Sequence, residues 1–398
     1  MRYQLRRKMP TSFEPKSVAV GFFLSSLKRG GSQRSTLLTV KHWPRDGSSA
    51  HLIVAEASGE HLEEAAEELP IQVVGRVRYL TLPAFVYRLR RTRRELGLNA
   101  IVVLTRIAFI ALVARKAGWV KNAAIVVVQR TTLSQSVRDN HQNPAARWIV
   151  LRLMKLVIPW ADAIVGVSHG VSRDLEHTLG LPAGSVRTIY NPVDPKIITQ
   201  AIDSPIPEEL ERAFAELPRP VVLTAGRLVT AKAHDDLLHA FAQLPIDQRG
   251  SLVILGEGRL REKLQKLAEQ LGICDRVWMP GFVDNPWWFI NRADVFALSS
   301  HNEGHPRVLL EALACGIPIA STDCPSGPRE ILADARGTRL ALVGDTQALS
   351  AAISALLADG NTRPSVDLSP YCAERVAKAY AEVVAGVCPD FVDRLVGG

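Results

Sequence analysis

Cysteine is scarce in this chain of 398 residues: there are five, and all lie in the second half, at Cys274, Cys315, Cys324, Cys372 and Cys388. The number is odd and no two stand at CxxC spacing, which argues against a disulfide framework or a cysteine zinc site and for a reducing compartment. Aromatic residues are only 6% of the chain. No uncharged apolar run reaches the roughly 18 residues that a spanning helix needs. Arg2, Arg6, Arg7 and Lys8 precede the apolar stretch Val18–Leu24, as they would in a signal peptide. The stretch is short, however. Glu14 and Lys16 interrupt the approach, and Lys28 and Arg29 follow where small residues should be, so it reads as a first buried strand. GxGxxG, GxSxG, a Cys/His nucleophile arrangement, metal-ligand spacing, short-period repeats and low-complexity tracts are all missing.

What remains is the composition of a globular α/β protein, 47% hydrophobic and long enough for two domains of roughly 180 residues. Apolar runs at 17–23, 52–55, 71–74, 100–104, 124–129 and 163–167 read as strands, with helical spacing at 33–42, 61–69 and 83–96 between them. Asn191-Pro192-Val193-Asp194-Pro195, followed by Pro205 and Pro207, breaks the rhythm and marks a domain boundary. Strands at 220–225, 252–255, 277–279, 295–298 and 318–321 then alternate with helices at 233–243, 259–271, 308–315 and 346–357, and 369–387 reads as a last helix. Such alternation predicts two parallel, doubly wound sheets with ligand sites at their carboxyl edges. The net charge of +8 is uneven. Residues 1–200 carry 29 Lys and Arg against 14 Asp and Glu, a net of +15, and the remainder carries a net of −7.

Three segments carry chemistry. Gly30-Gly31 stands between the first strand and a helix, where bare backbone can approach a phosphate; the alternative is a tight βα turn. Gly226-Arg227-Leu228, with Lys232 close behind, places two cations at a strand end, either as a clamp on a diphosphate leaving group or as solvated surface charges. In the run from Glu303 to Pro318, Glu303 sits in a Gly/Pro turn and Glu311 inside an apolar helix. A carboxylate buried there without a partner would be costly, which favours a role in binding hydroxyls of sugar and ribose.

These segments, together with Val167-Ser168-His169-Gly170-Val171-Ser172, Ile189-Tyr190-Asn191-Pro192-Val193-Asp194, Leu255-Gly256-Glu257-Gly258 and Pro280-Gly281-Phe282-Val283 in this order, resemble the family 4 glycosyltransferases of the GT-B fold. The run from Asp323 to Glu330 resembles members that build bacterial surface glycans. The resemblance implies two Rossmann-like domains facing across a cleft: an acceptor-side domain (1–198), a donor-binding domain (199–370) and a terminal helix (371–398) packing back on the first. It implies metal-independent, retaining transfer of a hexose or N-acetylhexosamine from a nucleoside-diphosphate sugar, with UDP the expected carrier, to a lipid-linked or glycan acceptor. No cofactor is expected. In that scheme Arg227 and Lys232 hold the diphosphate. Glu303 and the segment Gly304, His305, Pro306, Arg307, Val308 hold the donor sugar, and Glu311 the ribose. Gly226 lies under the clamp, Gly31 approaches the phosphate from the first domain, and the backbone near Val283 meets the base. Many relatives carry a histidine where Arg130 stands here. Arginine cannot act as a base, so Arg130 either contacts the donor or faces solvent. His305 and Arg307 replace residues that are more often Phe and Asn.

The same fold serves nucleotide-sugar epimerases and non-catalytic binding proteins. Basic residues are not interleaved with stacking aromatics, so nucleic acid is not the expected partner. An anionic membrane surface is: Arg88, Arg90, Arg91, Arg93 and Arg94 share a helix with Phe85, Val86, Tyr87 and Leu89, which suggests peripheral attachment to the cytoplasmic face.

Overall fold

The computed structural model describes residues 18–388 other than 29, 46, 57, 60–67, 70, 75–81, 121, 334 and 361. The basic residues near the start and most of the helix expected at 61–69 lie outside the described residues.

The first sheet is built from β1 (Val18–Leu24), β2 (Ser48–Val54), β3 (Ile71–Val73), β4 (Leu98–Leu104), β5 (Ala124–Gln129), β6 (Ala163–Gly166) and β7 (Arg187–Thr188), in the order β3-β2-β1-β4-β5-β6-β7. The second contains β8 (Val221–Ala225), β9 (Ser251–Leu255), β10 (Val277–Gly281), β11 (Val295–Leu298), β12 (Ile319–Thr322) and β13 (Thr338–Ala341), in the order β10-β9-β8-β11-β12-β13. All pairings are parallel. Parallel sheets need both faces covered, which is why the middle of β5, Ile125 to Val128, is unbroken Ile and Val. Alternation within strands sorts the second domain's core: Val221 and Leu223 face one apolar cluster, and Val222 between them faces the other.

This topology sets where ligands can bind. Strand order reverses beside β1 in the first sheet and beside β8 in the second, opening a crevice at the carboxyl ends of β1/β4 and β8/β11. Gly30-Gly31 follows β1, the Gly226–Lys232 segment follows β8, and Glu303 follows β11.

The helix Ala373–Val387 returns to the first domain. Val376, Tyr380, Ala381 and Val384 lie in that domain's core cluster, and the Tyr380 ring meets Phe22 edge-on with centroids 5.9 Å apart. The two chain crossings are hydrogen-bonded to each other. Val193 N–H donates to the Tyr371 carbonyl (2.8 Å) and Ala373 N–H to the Val193 carbonyl (3.1 Å), which makes a short hinge.

One expectation needs correcting. In the helix Leu82–Glu95, Phe85, Val86 and Leu89 are buried, and Phe85 packs on Phe23. Its apolar face belongs to the core and is not free to enter lipid; Tyr87 and most of its arginines face outward. Two short edge strands, β7 and β13, were also not anticipated.

Candidate active site

Ser299 to Pro306 form the turn between β11 and the helix Arg307–Ala314, facing the loop that follows β8. Glu303 is the centre of this meeting. Lys232 Nζ donates to Glu303 Oε1 at 2.5 Å and Ser300 Oγ donates to the same oxygen at 2.8 Å, while Ser326 Oγ donates to the Glu303 carbonyl at 2.7 Å. Both charged side chains are largely withdrawn from water. Arg227 stands exposed at the rim, with no ion pair among the described residues. The β8 and β9 loops interlock beneath: a Cβ at Gly256, where φ is +136°, would lie 2.0 Å from the Gly226 carbonyl oxygen. Ala233, directly after Lys232, is buried in the left-handed region (φ 45°, ψ 47°), a conformation costing a non-glycine residue about 1–2 kcal/mol. His234 beside it is held neutral, its pKa pushed down to about 4 by burial and by the charge of Lys232.

One helical turn beyond the Glu303 loop lies a buried ion pair. Arg307 Nη2 donates to Glu311 Oε1 at 2.8 Å, and Arg307 Nη1 reaches the Gly31 carbonyl in the first domain at 3.4 Å. Burial pushes Arg307 down to about 10, Glu311 opposes this, and the charges of Arg34 and Arg130 add to it. With Arg34 and Arg130 adding positive charge around the Arg307–Glu311 pair, the region is locally cationic and suited to an anionic ligand. Arg34 stacks over Trp287 at 4.2 Å, a cation–π contact between the domains.

Arg130 is mostly enclosed. Nη1 donates to Asn191 Oδ1 and Nη2 to Thr36 Oγ1, each at 3.0 Å, and its Nε has no partner. It borders a small pocket lined also by Phe22, Thr36, Thr39 and Tyr380. Its guanidinium is thus engaged with Asn191 and Thr36 while the side chain keeps partial exposure. Asn191 continues the network, its Nδ2 donating to the His305 carbonyl at 2.8 Å. The His305 ring belongs to the hinge: it stacks on Tyr190 (4.9 Å between centroids), lies beside Tyr371, and burial pushes its pKa down to about 3. Only its backbone is left to meet a sugar.

Among the other expected donor contacts, Gly31 begins its helix and is exposed, Val283 is buried among the Trp287 cluster, and Val308 is partly buried. Pro306 caps the helix Arg307–Ala314 but lacks an N–H and can donate nothing. No three His, Cys, Asp or Glu residues are grouped to hold a metal ion among the described residues.

The domains touch across this site. A Cβ on Gly304 would lie 1.9 Å from the Arg130 carbonyl oxygen. Thr132 Oγ1 donates to Asn302 Oδ1 at 2.9 Å. Glu330 of the second domain accepts from the backbone N–H groups of His169 (2.8 Å) and Gly170 (2.7 Å), capping the first domain's helix His169–Leu179. Arg34, Asn191, Ser300, Ser326 and Glu330 had no assigned role in the sequence reading. Ser168 caps this helix by accepting from the Val171 N–H at 3.2 Å, and no local signal in the chain shows that a carboxylate from the other domain takes the His169 and Gly170 N–H groups.

Comparison with known proteins follows the same division. Residues 206–368 match the family model described as Glycosyl transferases group 1, and residues 29–197 match Glycosyltransferase Family 4. A Campylobacter jejuni protein named N-acetylgalactosamine-N,N'-diacetylbacillosaminyl-diphospho-undecaprenol 4-alpha-N-acetylgalactosaminyltransferase is 30% identical over 377 residues, covering 92% of this chain and 96% of its own. The lipopolysaccharide core biosynthesis glycosyltransferase LpsE of Rhizobium meliloti is 32% identical over 185 residues, 44% of this chain and 53% of LpsE. Among solved structures, Anabaena HepE in complex with UDP-glucose superposes with a TM-score of 0.70 at 19% identity, covering 96% of this chain and all of HepE, a likeness of fold.

Proposed function

Because the chain belongs to the group 1, family 4 glycosyltransferases of the GT-B fold, we propose that it moves a hexose or N-acetylhexosamine from UDP to a lipid-linked glycan acceptor, with retention of anomeric configuration and without a metal ion. The observation that carries this reading is the Lys232–Glu303 pair at the β8/β11 crevice, within a cleft closed by the opposite domain. Arg227 and Lys232 neutralise the diphosphate as the bond from the anomeric carbon to its oxygen breaks. Glu303 accepts hydrogen bonds from hydroxyls of the donor sugar, and Glu311, oriented by Arg307, accepts them from the ribose hydroxyls. The acceptor hydroxyl oxygen bonds to the anomeric carbon from the face the diphosphate leaves, and its proton passes to the departing phosphate oxygen. The residues at the two histidine-related positions do not serve as the base: Arg130 has no lone pair to offer, and His305 sits in the hinge. The undecaprenol-linked substrate in the Campylobacter jejuni relative's name supports a lipid-linked acceptor here, and with it goes the reading that the enzyme works peripherally at the cytoplasmic face of a membrane.

The test is transfer of label from a panel of radiolabelled UDP-sugars into the organic phase of a bacterial lipid extract, in excess EDTA, with the product's anomeric configuration read by NMR. Label entering lipid with the donor's configuration is expected. Conversion of the UDP-sugar to its epimer without acceptor would favour the epimerase alternative, and rescue by manganese would overturn metal independence.

A further inference from the structure

The helix Pro144–Val157 is apolar on nearly every side. Val150, Leu151 and Met154 pack on the core and Val157 is buried. The opposite side presents Trp148 (63% exposed), Ile149, Leu153 and Leu156 (62%) to solvent. Val113 in the adjoining helix Thr105–Lys116 and Trp119 just beyond its end are exposed apolar residues as well. An all-round apolar helix is ordinarily covered on both sides, and scattered exposure of single residues does not account for this concentration.

Charge identifies what covers it. Between Glu95 and Asp162 the chain has nine Lys and Arg and one acidic residue, Asp139. Arg152 lies over the Trp148 ring at 5.6 Å and Lys155 is exposed beside it, so the patch is rimmed by cations. A symmetric contact between two copies through this face would set cations against cations. An anionic bilayer instead offers acyl chains to the leucines, an interface to the tryptophans and phosphates to the rim. Fourteen residues, about 21 Å of helix, can lie in the headgroup plane, and no described helix is long and apolar enough to cross it.

We propose that the outer face of the helix Pro144–Val157, with Trp119 and Val113, docks on an anionic membrane surface. The placement suits the cleft. Thr132, bonded to Asn302 of the second domain, is followed by the helix Leu133–Asn140, about 12 Å long, and then by the docking helix. A sugar held at the membrane by its lipid would thus reach the cleft within one short helix. This rests on the lipid-linked acceptor reading and deepens it, replacing the arginine helix Leu82–Glu95 as the apolar anchor.

The test is partition of the full chain onto phosphatidylcholine vesicles with and without phosphatidylglycerol, at low and high salt. Binding should require phosphatidylglycerol and weaken with salt. Trp148→Ser with Ile149→Ser and Leu156→Ser should lower vesicle affinity at least about tenfold, since each removes an inserted apolar group. Thermal stability and UDP affinity should be unchanged, because these positions are outside core and cleft. Brominated lipid should quench wild-type tryptophan emission more strongly than that of Trp148→Phe, which keeps the apolar face. Equal partition of the triple variant and wild type, equal quenching of Trp148→Phe and wild type, or absence of wild-type binding to either vesicle would overturn the proposal. So would a concentration-dependent dimer in sedimentation velocity that the same triple variant abolishes. Failure to bind UDP with vesicle binding intact would sink the enzymatic reading and leave this surface standing.

Discussion

Lys232 and Glu303 hold each other 2.5 Å apart, with Ser300 donating to the same carboxylate oxygen. A preorganised cation needs no rearrangement when charge develops on a leaving diphosphate, so Lys232→Ala should lower kcat by about 10²–10³. Steady-state release of UDP from the donor in the presence of acceptor measures this, and a loss of only a few-fold would remove Lys232 from the mechanism. Glu311 is less free than its sequence position suggested, because Arg307 occupies it. Glu311→Ala leaves a buried guanidinium unpaired and should cost about 3–5 kcal/mol in urea unfolding as well as nucleotide affinity. His305 and His234 have folded pKa values of about 3 and about 4, below the unfolded value of 6.5. The unfolded chain therefore binds more protons as pH falls. Their contribution is fully present above pH 6.5 and is lost as pH drops toward 4, about 2 kcal/mol each by pH 5. His305→Phe fits the stack on Tyr190 and removes the unpartnered Nε2. Because Nδ1 accepts the buried Asn191 N–H at 3.4 Å, the change should cost about 1 kcal/mol at pH 7 and should flatten the fall in Tm between pH 6.5 and 5; an unchanged slope would contradict the assignment.

Elements were legible where their own residues decide them. β5 and β11 lie at the expected positions because uninterrupted β-branched and apolar runs admit little else in a buried parallel sheet. The two edge strands β7 and β13 were not legible, being two and four residues long with little apolar content. The arginine helix was found, yet its role was misjudged: helical period alone does not tell whether an apolar stripe faces core or lipid, and here Phe23 covers Phe85. In the site, strand ends and glycines made Gly226, Lys232, Glu303 and Glu311 visible from local pattern. Contacts between residues 160 positions apart were not, above all Glu330 on the helix His169–Leu179. That cap ties an element of one domain to the other. Glu330→Gln should speed hydrogen exchange at the His169 and Gly170 amides and raise the donor KM several-fold, as a charged acceptor at a helix N-terminus is replaced by a neutral one. Unchanged exchange there would mean that the cap does not hold in solution.

At the scale of the molecule, function depends on two sheets meeting at their carboxyl edges, held by one hinge and one returning helix. Gly304 permits that meeting, since any side chain there would strike the Arg130 carbonyl. Gly304→Ala should leave most UDP affinity, which the second domain supplies, and reduce kcat at least about 100-fold by preventing closure over the reacting atoms. Loss of both together in a calorimetric and kinetic comparison would show that Gly304 matters for folding rather than closure. The most direct measurement is a thermal-shift titration of wild type, Lys232→Ala and Glu303→Gln with UDP and a panel of UDP-sugars. A ligand at 100 times its Kd adds about 2.7 kcal/mol to the wild type. The structure predicts that UDP stabilises the wild type, that at least one UDP-sugar stabilises it further, that Lys232→Ala loses most of both shifts, and that Glu303→Gln keeps the UDP shift but loses the sugar's increment. A wild type that no nucleoside diphosphate stabilises, or variants that shift as the wild type does, would contradict the assignment of this cleft.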